Sequence, residues 1–191
     1  MKKVYSIILI LILIFVMSCC SKSDSDISSE GSLTEFEYVH YTTGGITETY
    51  KAVILFEQSN SIFTSYQVAF ISCTCRDPLV NYVSVCYVEL LNSKPSADES
   101  SIRAISFSNN MGLWGDSNPN YNMPEYTEEY LDINFVQKMV KAKKSDFDLW
   151  SGYGTQINSV DVDMVSGATV STSNITSMLR SLFEYHVKKY Y

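Results

Sequence analysis

Basic residues are in short supply. The chain carries 14 Lys and Arg against 21 Asp and Glu, a net charge of −7. A nucleic-acid binder needs a basic stripe, so no nucleic-acid partner is expected. Histidine is scarcer still: His40 and His186 are the only two, and neither stands at ligand spacing to a cysteine. No metal site is therefore assigned. There is no Walker loop, no Gly-x-Ser-x-Gly elbow and no dinucleotide fingerprint after a strand. Ser166 has no base in view, so a serine hydrolase is not expected and no catalytic residue is assigned. No internal repeat is visible.

What remains is enough for one folded domain. The chain has 191 residues, of which 46% are hydrophobic and 13% aromatic, a composition that argues for a packed core rather than disorder. Lys2 and Lys3 precede an unbroken apolar run over 7–16 that is too short to span a membrane comfortably. This is the pattern of an export signal over 1–18. The run ends Val16-Met17-Ser18-Cys19, which resembles the lipobox of bacterial lipoproteins. The resemblance implies cleavage before Cys19 and acylation of its thiol, with Cys20 as the less favoured alternative. Residues 19–35 are rich in Ser and acidic groups and read as a flexible tether, with the folded part, 36–191, beginning near Phe36.

Period-two runs of β-branched and aromatic residues mark strands over 49–57, 62–72, 82–91 and 102–107, with Gly44-Gly45, 58–60, Asp77-Pro78 and 92–101 as turns or loops. In the first run Tyr50, Ala52, Ile54 and Phe56 share one face and Val53 and Leu55 the other. Four strands with short links predict an antiparallel meander. A polar loop over 108–124 follows. Residues 125–144 predict a helix with Tyr126, Tyr130, Ile133, Val136 and Val140 on one face and lysines crowding its end. A short strand over 160–165 leads to a last amphipathic helix, with Ser171, Thr172, Ser173 and Asn174 as its cap candidates and Lys188 and Lys189 near its end. The fold class is α+β: an antiparallel sheet, a helix after the Gly-rich loop and a C-terminal helix.

Cys73, Cys75 and Cys86 admit several readings. A hairpin about 77–81 would set Cys86 roughly opposite Cys73 or Cys75, which allows a cross-strand disulfide. Buried free thiols fit equally well, and a redox pair working with a cofactor is a third reading. A bridge between Cys73 and Cys75 would be strained.

The most informative stretch is Asp163-Met-Val-Ser166-Gly167-Ala168-Thr169-Val-Ser171, just before the last helix. A small-residue loop entering a helix N-terminus presents free N–H groups and the positive dipole end to an anion such as phosphate. This stretch resembles the Asp-x-x-Ser/Thr-Gly-Ala-Thr-x-Ser/Thr signature of the FMN-binding domain family, which includes flavin-carrying subunits of sodium-pumping NADH–quinone reductase and Rnf complexes. The resemblance implies FMN joined through its phosphate to Thr169, with Asp163, Ser166, Gly167 and Ala168 as recognition residues. It also implies a flavin transferase, dependent on FAD and magnesium, as maturation partner. Upstream, Gly112-Leu113 matches part of the family's Glu-Thr-Pro-Gly-Leu-Gly loop, although Trp114 intervenes before Gly115 and the Glu-Thr-Pro part is absent. Trp114, Trp150 and Tyr153 are aromatics that could stack on a flavin ring and read equally as core residues. The expectation is an extracytoplasmic lipoprotein, anchored by Cys19 to a lipid membrane. It would carry FMN covalently and shuttle electrons from a membrane donor rather than act as a stand-alone enzyme. The alternative is a non-redox surface lipoprotein or binding module with the same fold.

Overall fold

The computed structural model describes residues 33–74, 82–109, 128–157 and 169–191. The chain divides into two units, Met1–Ser32 and Leu33–Tyr191. The expected export signal, the expected lipidation site and most of the expected tether fall in the first unit, outside the described residues. The predicted strand over 160–165 and most of the 108–124 loop also lie outside them.

The second unit is α+β. Five strands, β1 (Thr34–Tyr41), β2 (Thr47–Ser59), β3 (Phe63–Cys73), β4 (Tyr82–Leu91) and β5 (Ile102–Asn109), form one antiparallel sheet in the order β1-β2-β3-β4-β5. The meander is as predicted, with one strand more. β1 lies where the sequence predicts the end of the tether and the start of the domain. Phe36, Tyr38 and His40 turn inward while Glu35, Glu37 and Val39 turn out, an alternation that matches the pleat. Gly44 and Gly45, at φ of 83° and 78°, close the β1–β2 hairpin with the positive dihedrals such a turn requires.

β2 serves two neighbours in succession. Residues 47–54 pair with β1 and residues 53–59 pair with β3, with a register shift between Ile54 and Phe56. The bulge corrects the predicted facing. Ala52 and Ile54 are buried as expected, but Phe56 is 46% exposed. Glu57 turns inward instead, opposite Tyr66. Where β2 leaves β1 for β3, the two ladders splay. Aromatic rings fill the wedge: Tyr38 makes edge contacts with His40, Tyr50 and Phe70, and His40 stacks on Tyr50 at 4.3 Å. The Tyr38 hydroxyl donates to the carbonyl of Ile71 at 2.6 Å, bridging β1 directly to β3.

The predicted helix over 125–144 is broken. Its described part comprises a four-residue α-turn, α1 (Glu128–Leu131), a π-turn (Asp132–Val136) and a 3-10 turn (Gln137–Met139). The five-residue π-turn shifts the phase, so Phe135, Val136 and Met139 enter the core while Ile133 is 56% exposed. Helix then gives way to pairing with β5. Lys141 N donates to Ile102 O, Ile102 N to Ala142 O and Lys144 N to Ser100 O, at 2.8–2.9 Å. These bonds hold Lys141 at φ 77°, which ends the helix. A second short helix, α2 (Lys144–Asp148), follows.

The last helix, α3 (Thr169–Tyr190), packs on the inner face of the sheet. The helical spacing of Ile175, Met178, Leu179, Leu182, Phe183 and Val187 predicts one apolar face; the first five are buried and Val187 is half-buried. The cap assignment is corrected: Ser171, Thr172, Ser173 and Asn174 are buried inside the helix. Their polar groups meet the sheet ends and the loop before the helix, which is why small polar residues occupy core positions. At the far end, Glu57 accepts hydrogen bonds from Tyr185 (3.0 Å), Lys189 (2.9 Å) and Tyr190 (2.5 Å). Burial alone would raise the Glu57 carboxyl, but the bonds from Tyr190, Lys189 and Tyr185 outweigh it and hold the group below its ordinary value.

Of the readings open for Cys86, a cross-strand disulfide and a buried free thiol, the structure has the second. Cys86 pairs across the ladder with Val68 and Cys73 with Tyr82, so the two cysteines sit several rungs apart. Cys86 is free and buried. Cys73 is disulfide-bonded, and its partner lies outside the described residues.

Candidate functional site

Thr169, the residue singled out by its motif, is the first described residue of α3 and is half-buried. Its recognition partners Asp163, Ser166, Gly167 and Ala168, and Gly112 and Leu113 upstream, lie outside the described residues, as does Trp114. What the structure builds around Thr169 is a tight turn over 152–155. Thr155 N and its hydroxyl both donate to the carbonyl of Gly152, at 3.1 and 2.6 Å. Trp150 Nε1 donates to the Thr155 carbonyl at 3.0 Å. Gly154 N donates to Ser173 Oγ at 3.2 Å, which ties the turn to the second turn of α3. Gly154, at φ 70°, stands against the Thr169 methyl: a Cβ there would lie 3.6 Å from it.

The turn also grips the β1–β2 hairpin. A Cβ on Gly45 would come within 3.0 Å of the Tyr153 ring, so only glycine admits that close approach. Tyr41 lies tilted against Tyr153 at 5.7 Å and edge-on to Trp150 at 5.9 Å. Of the three aromatics picked from the sequence, Trp150 is therefore a buried core residue and Tyr153 a packing residue between turn and hairpin.

The residue that organises this end of the molecule is Asn174. Its Oδ1 accepts from Tyr41 N at 2.6 Å, and its Nδ2 donates to the carbonyls of Tyr41 and Ser72, both at 3.0 Å. One fully buried amide thus joins α3 to the ends of β1 and β3. Nothing in the sequence separates Asn174 from the neighbouring cap candidates; only the splayed sheet ends decide its role. Ser171, 2% exposed, has an Oγ with no hydrogen-bond partner among the described residues. It lies two residues after Thr169, in the first turn.

The histidines do not join this site as ligands. His40 Nε2 lies 3.2 Å from the Thr74 hydroxyl, and burial lowers its pKa. His186 Nδ1 lies 2.9 Å from the Tyr66 hydroxyl, and burial lowers its pKa to about 4, so both rings are neutral at pH 7. Among the described residues no group of three His, Cys, Asp or Glu side chains could hold a metal ion, and no helix is long and apolar enough to cross a membrane.

A cleft of about 390 Å³ opens on the other side of Asn174, between β1 and the middle of α3. Arg180 reaches into it. The Arg180 Nε is buried without a hydrogen-bond partner among the described residues, and its contact with Glu184 is 3.9 Å, beyond hydrogen-bond length. The sequence carries no signal for this cleft, because its walls come from segments more than 100 residues apart.

Comparison with protein-family models, with curated proteins and with solved structures finds no match for this chain.

Proposed function

We propose that this protein is a lipid-anchored, extracytoplasmic electron carrier with FMN attached through its phosphate to Thr169. The observation that carries the reading is the coincidence of motif and place. The threonine that closes Ser166-Gly167-Ala168-Thr169 is half-buried in the first described turn of α3 (Thr169–Tyr190). A phosphodiester at the N-terminal part of this helix is favoured by the positive end of its dipole.

The chain's own residues supply attachment and rigidity. Thr169 provides the alcohol. Gly154 keeps bulk away from the Thr169 side chain, and Ser173 and Asn174 lock the helix start to the turn and the sheet. Bound FMN would supply reversible one- and two-electron transfer. Cys19 would provide the lipid anchor, and several acyl chains hold a protein on a membrane far more firmly than one. A flavin transferase using FAD and magnesium would be the maturation partner, and a membrane reductase the electron donor.

The test is the intact mass of the full chain co-expressed with a flavin transferase. The expected result is an increment equal to FMN minus water that is absent in Thr169→Ala. A colourless protein without the increment, from cells that flavinylate a control substrate, overturns the reading and leaves a non-redox lipoprotein of the same fold.

A further inference from the structure

β1 is an edge of the sheet. An edge strand presents a row of unpaired N–H and C=O groups on its outer side. The hairpin determines which residues these are. Thr42 N donates to Ile46 O at 2.8 Å, so Thr42 and Ile46 form a hydrogen-bonded pair. The antiparallel alternation then makes Tyr41, Val39 and Glu37 the residues whose backbone groups point away from β2. The first of these rungs is already made, by a side chain. Asn174 accepts from Tyr41 N and donates to Tyr41 O, the two bonds that a neighbouring strand would supply. Beyond it, no hydrogen bond among the described residues takes the outward backbone groups of Val39 and Glu37.

α3 runs antiparallel beside this edge. Asn174 meets Tyr41 at one end, and Tyr185 stacks on Phe36 at 6.2 Å at the other. Between them lies the 390 Å³ cleft, with Glu37 and Val39 on its strand side and Ser177, Arg180, Ser181 and Glu184 on its helix side. The helix residues are spaced i, i+3, i+4, i+7 and so form one wall. Arg180, 3.9 Å from Glu184, brings into the cleft a cation whose Nε has no hydrogen-bond partner among the described residues. An open strand edge is the element of recognition by strand addition, and the facing helix sets the Arg180 cation beside it.

We propose that this cleft binds an extended peptide segment of a partner protein as a sixth strand antiparallel or parallel to β1, with an acidic residue of that segment on Arg180. α3 touches β1 at Tyr41 and at Phe36, so the outward groups of Glu37 and Val39 are the stretch of edge between these contacts, which suits a short peptide rather than the long edge of a second sheet. The site is independent of the flavin reading. Thr169 lies five residues before Asn174, roughly 8 Å along the helix axis at its usual rise, on the far side of the rung that Asn174 closes.

The probe is the capped peptide Thr-Val-Glu-Val-Thr and its Gln counterpart, added to the full chain at up to about 1 mM. The readouts are fluorescence polarisation and amide exchange at Glu37 and Val39. The expected result is fast exchange of both amides in the free protein and at least about tenfold slowing with the Glu peptide. Val39→Pro removes an outward N–H without removing a β1–β2 bond, and should weaken binding about tenfold or more. Arg180→Gln should weaken the Glu peptide by a similar factor and leave the Gln peptide unchanged. Four results would each overturn the proposal. One is the absence of slowing by either peptide. Another is slow exchange before any peptide is added, which assigns the edge to the chain's own tether. The third is a dimer that Val39→Pro dissociates, which assigns it to a second copy. The last is free glutamate binding as tightly as the peptide, which reduces the cleft to a small-acid site.

Discussion

Asn174 is a case in which one side chain stands in for a strand. It takes both outward backbone groups of the edge residue Tyr41 and adds a bond to the Ser72 carbonyl. Asn174→Ala is expected to cost about 3 kcal/mol, because buried donors and acceptors then lose their partners outright. Urea denaturation of variant and parent measures this; a loss under about 0.5 kcal/mol would mean water replaces the amide. His186 makes a second prediction. Burial among Tyr66, Tyr190 and Tyr191 holds its pKa at about 4 against an ordinary 6.5, and the nearby Glu57 only partly counteracts this. The folded state therefore binds its proton less readily than the unfolded chain. The stability contribution is complete above pH 6.5 and is lost as the pH falls towards 4, a change of about 3 kcal/mol. In His186→Gln the stability difference between pH 7 and pH 4 should shrink by about that amount. The loss that remains comes from His40, whose pKa is lowered in the same direction, and at more acid pH from Glu57. An unchanged pH profile would refute the assignment.

Among the elements, the segment after β5 shows where local preference is overruled. Residues 125–144 have the helical spacing of apolar side chains, yet the helix ends at Met139 because residues 140–144 bond to the start of β5. Lys141 is held in the left-handed region as a result, a conformation that disfavours any residue with a Cβ. Lys141→Gly should raise stability by about 1 kcal/mol, offset in part by the greater freedom of glycine in the unfolded chain. A thermal melt reads this directly, and a lower melting temperature would show that the lysine side chain contributes more than its backbone strain costs. The bulge in β2 acts in the same way. It turns Phe56 out and Glu57 in, so that a carboxylate rather than a ring receives the last turn of α3. Alternation alone predicts Phe56 inside, since a bulge leaves no mark in a period-two pattern.

In the molecule as a whole, the sheet and α3 share one core, and Cys86 lies in it. Burial pushes its thiol up, so the native protein should resist alkylation at this position. Labelling of the Cys86 peptide, followed by mass spectrometry, should accelerate with denaturant in step with global unfolding. Labelling that is fast in native buffer would mean that β4 opens locally. The bridged Cys73, at the end of β3, is a separate matter: its carbonyl neighbour Ser72 is held by Asn174, so the disulfide borders the same junction of strand ends and helix.

Four of the five strands, the terminal helix and its buried stripe were legible in sequence, because period-two and period-three-to-four burial follows from backbone geometry alone. The motif that singles out Thr169 was legible too, as a local run of residue types. Tertiary structure decided the rest. The facing of Glu57 depends on a bulge, the break at Lys141 on bonds from a strand about 40 residues earlier, and the roles of Asn174 and Arg180 on the gap between an edge strand and a helix. These are satisfactions of polar groups across long separations in the chain, and a hydrogen bond between distant segments has no periodicity to read. At Thr169 the sequence determined which hydroxyl to single out. The fold determined its surroundings: the first described turn of α3 and the glycine turn at its side.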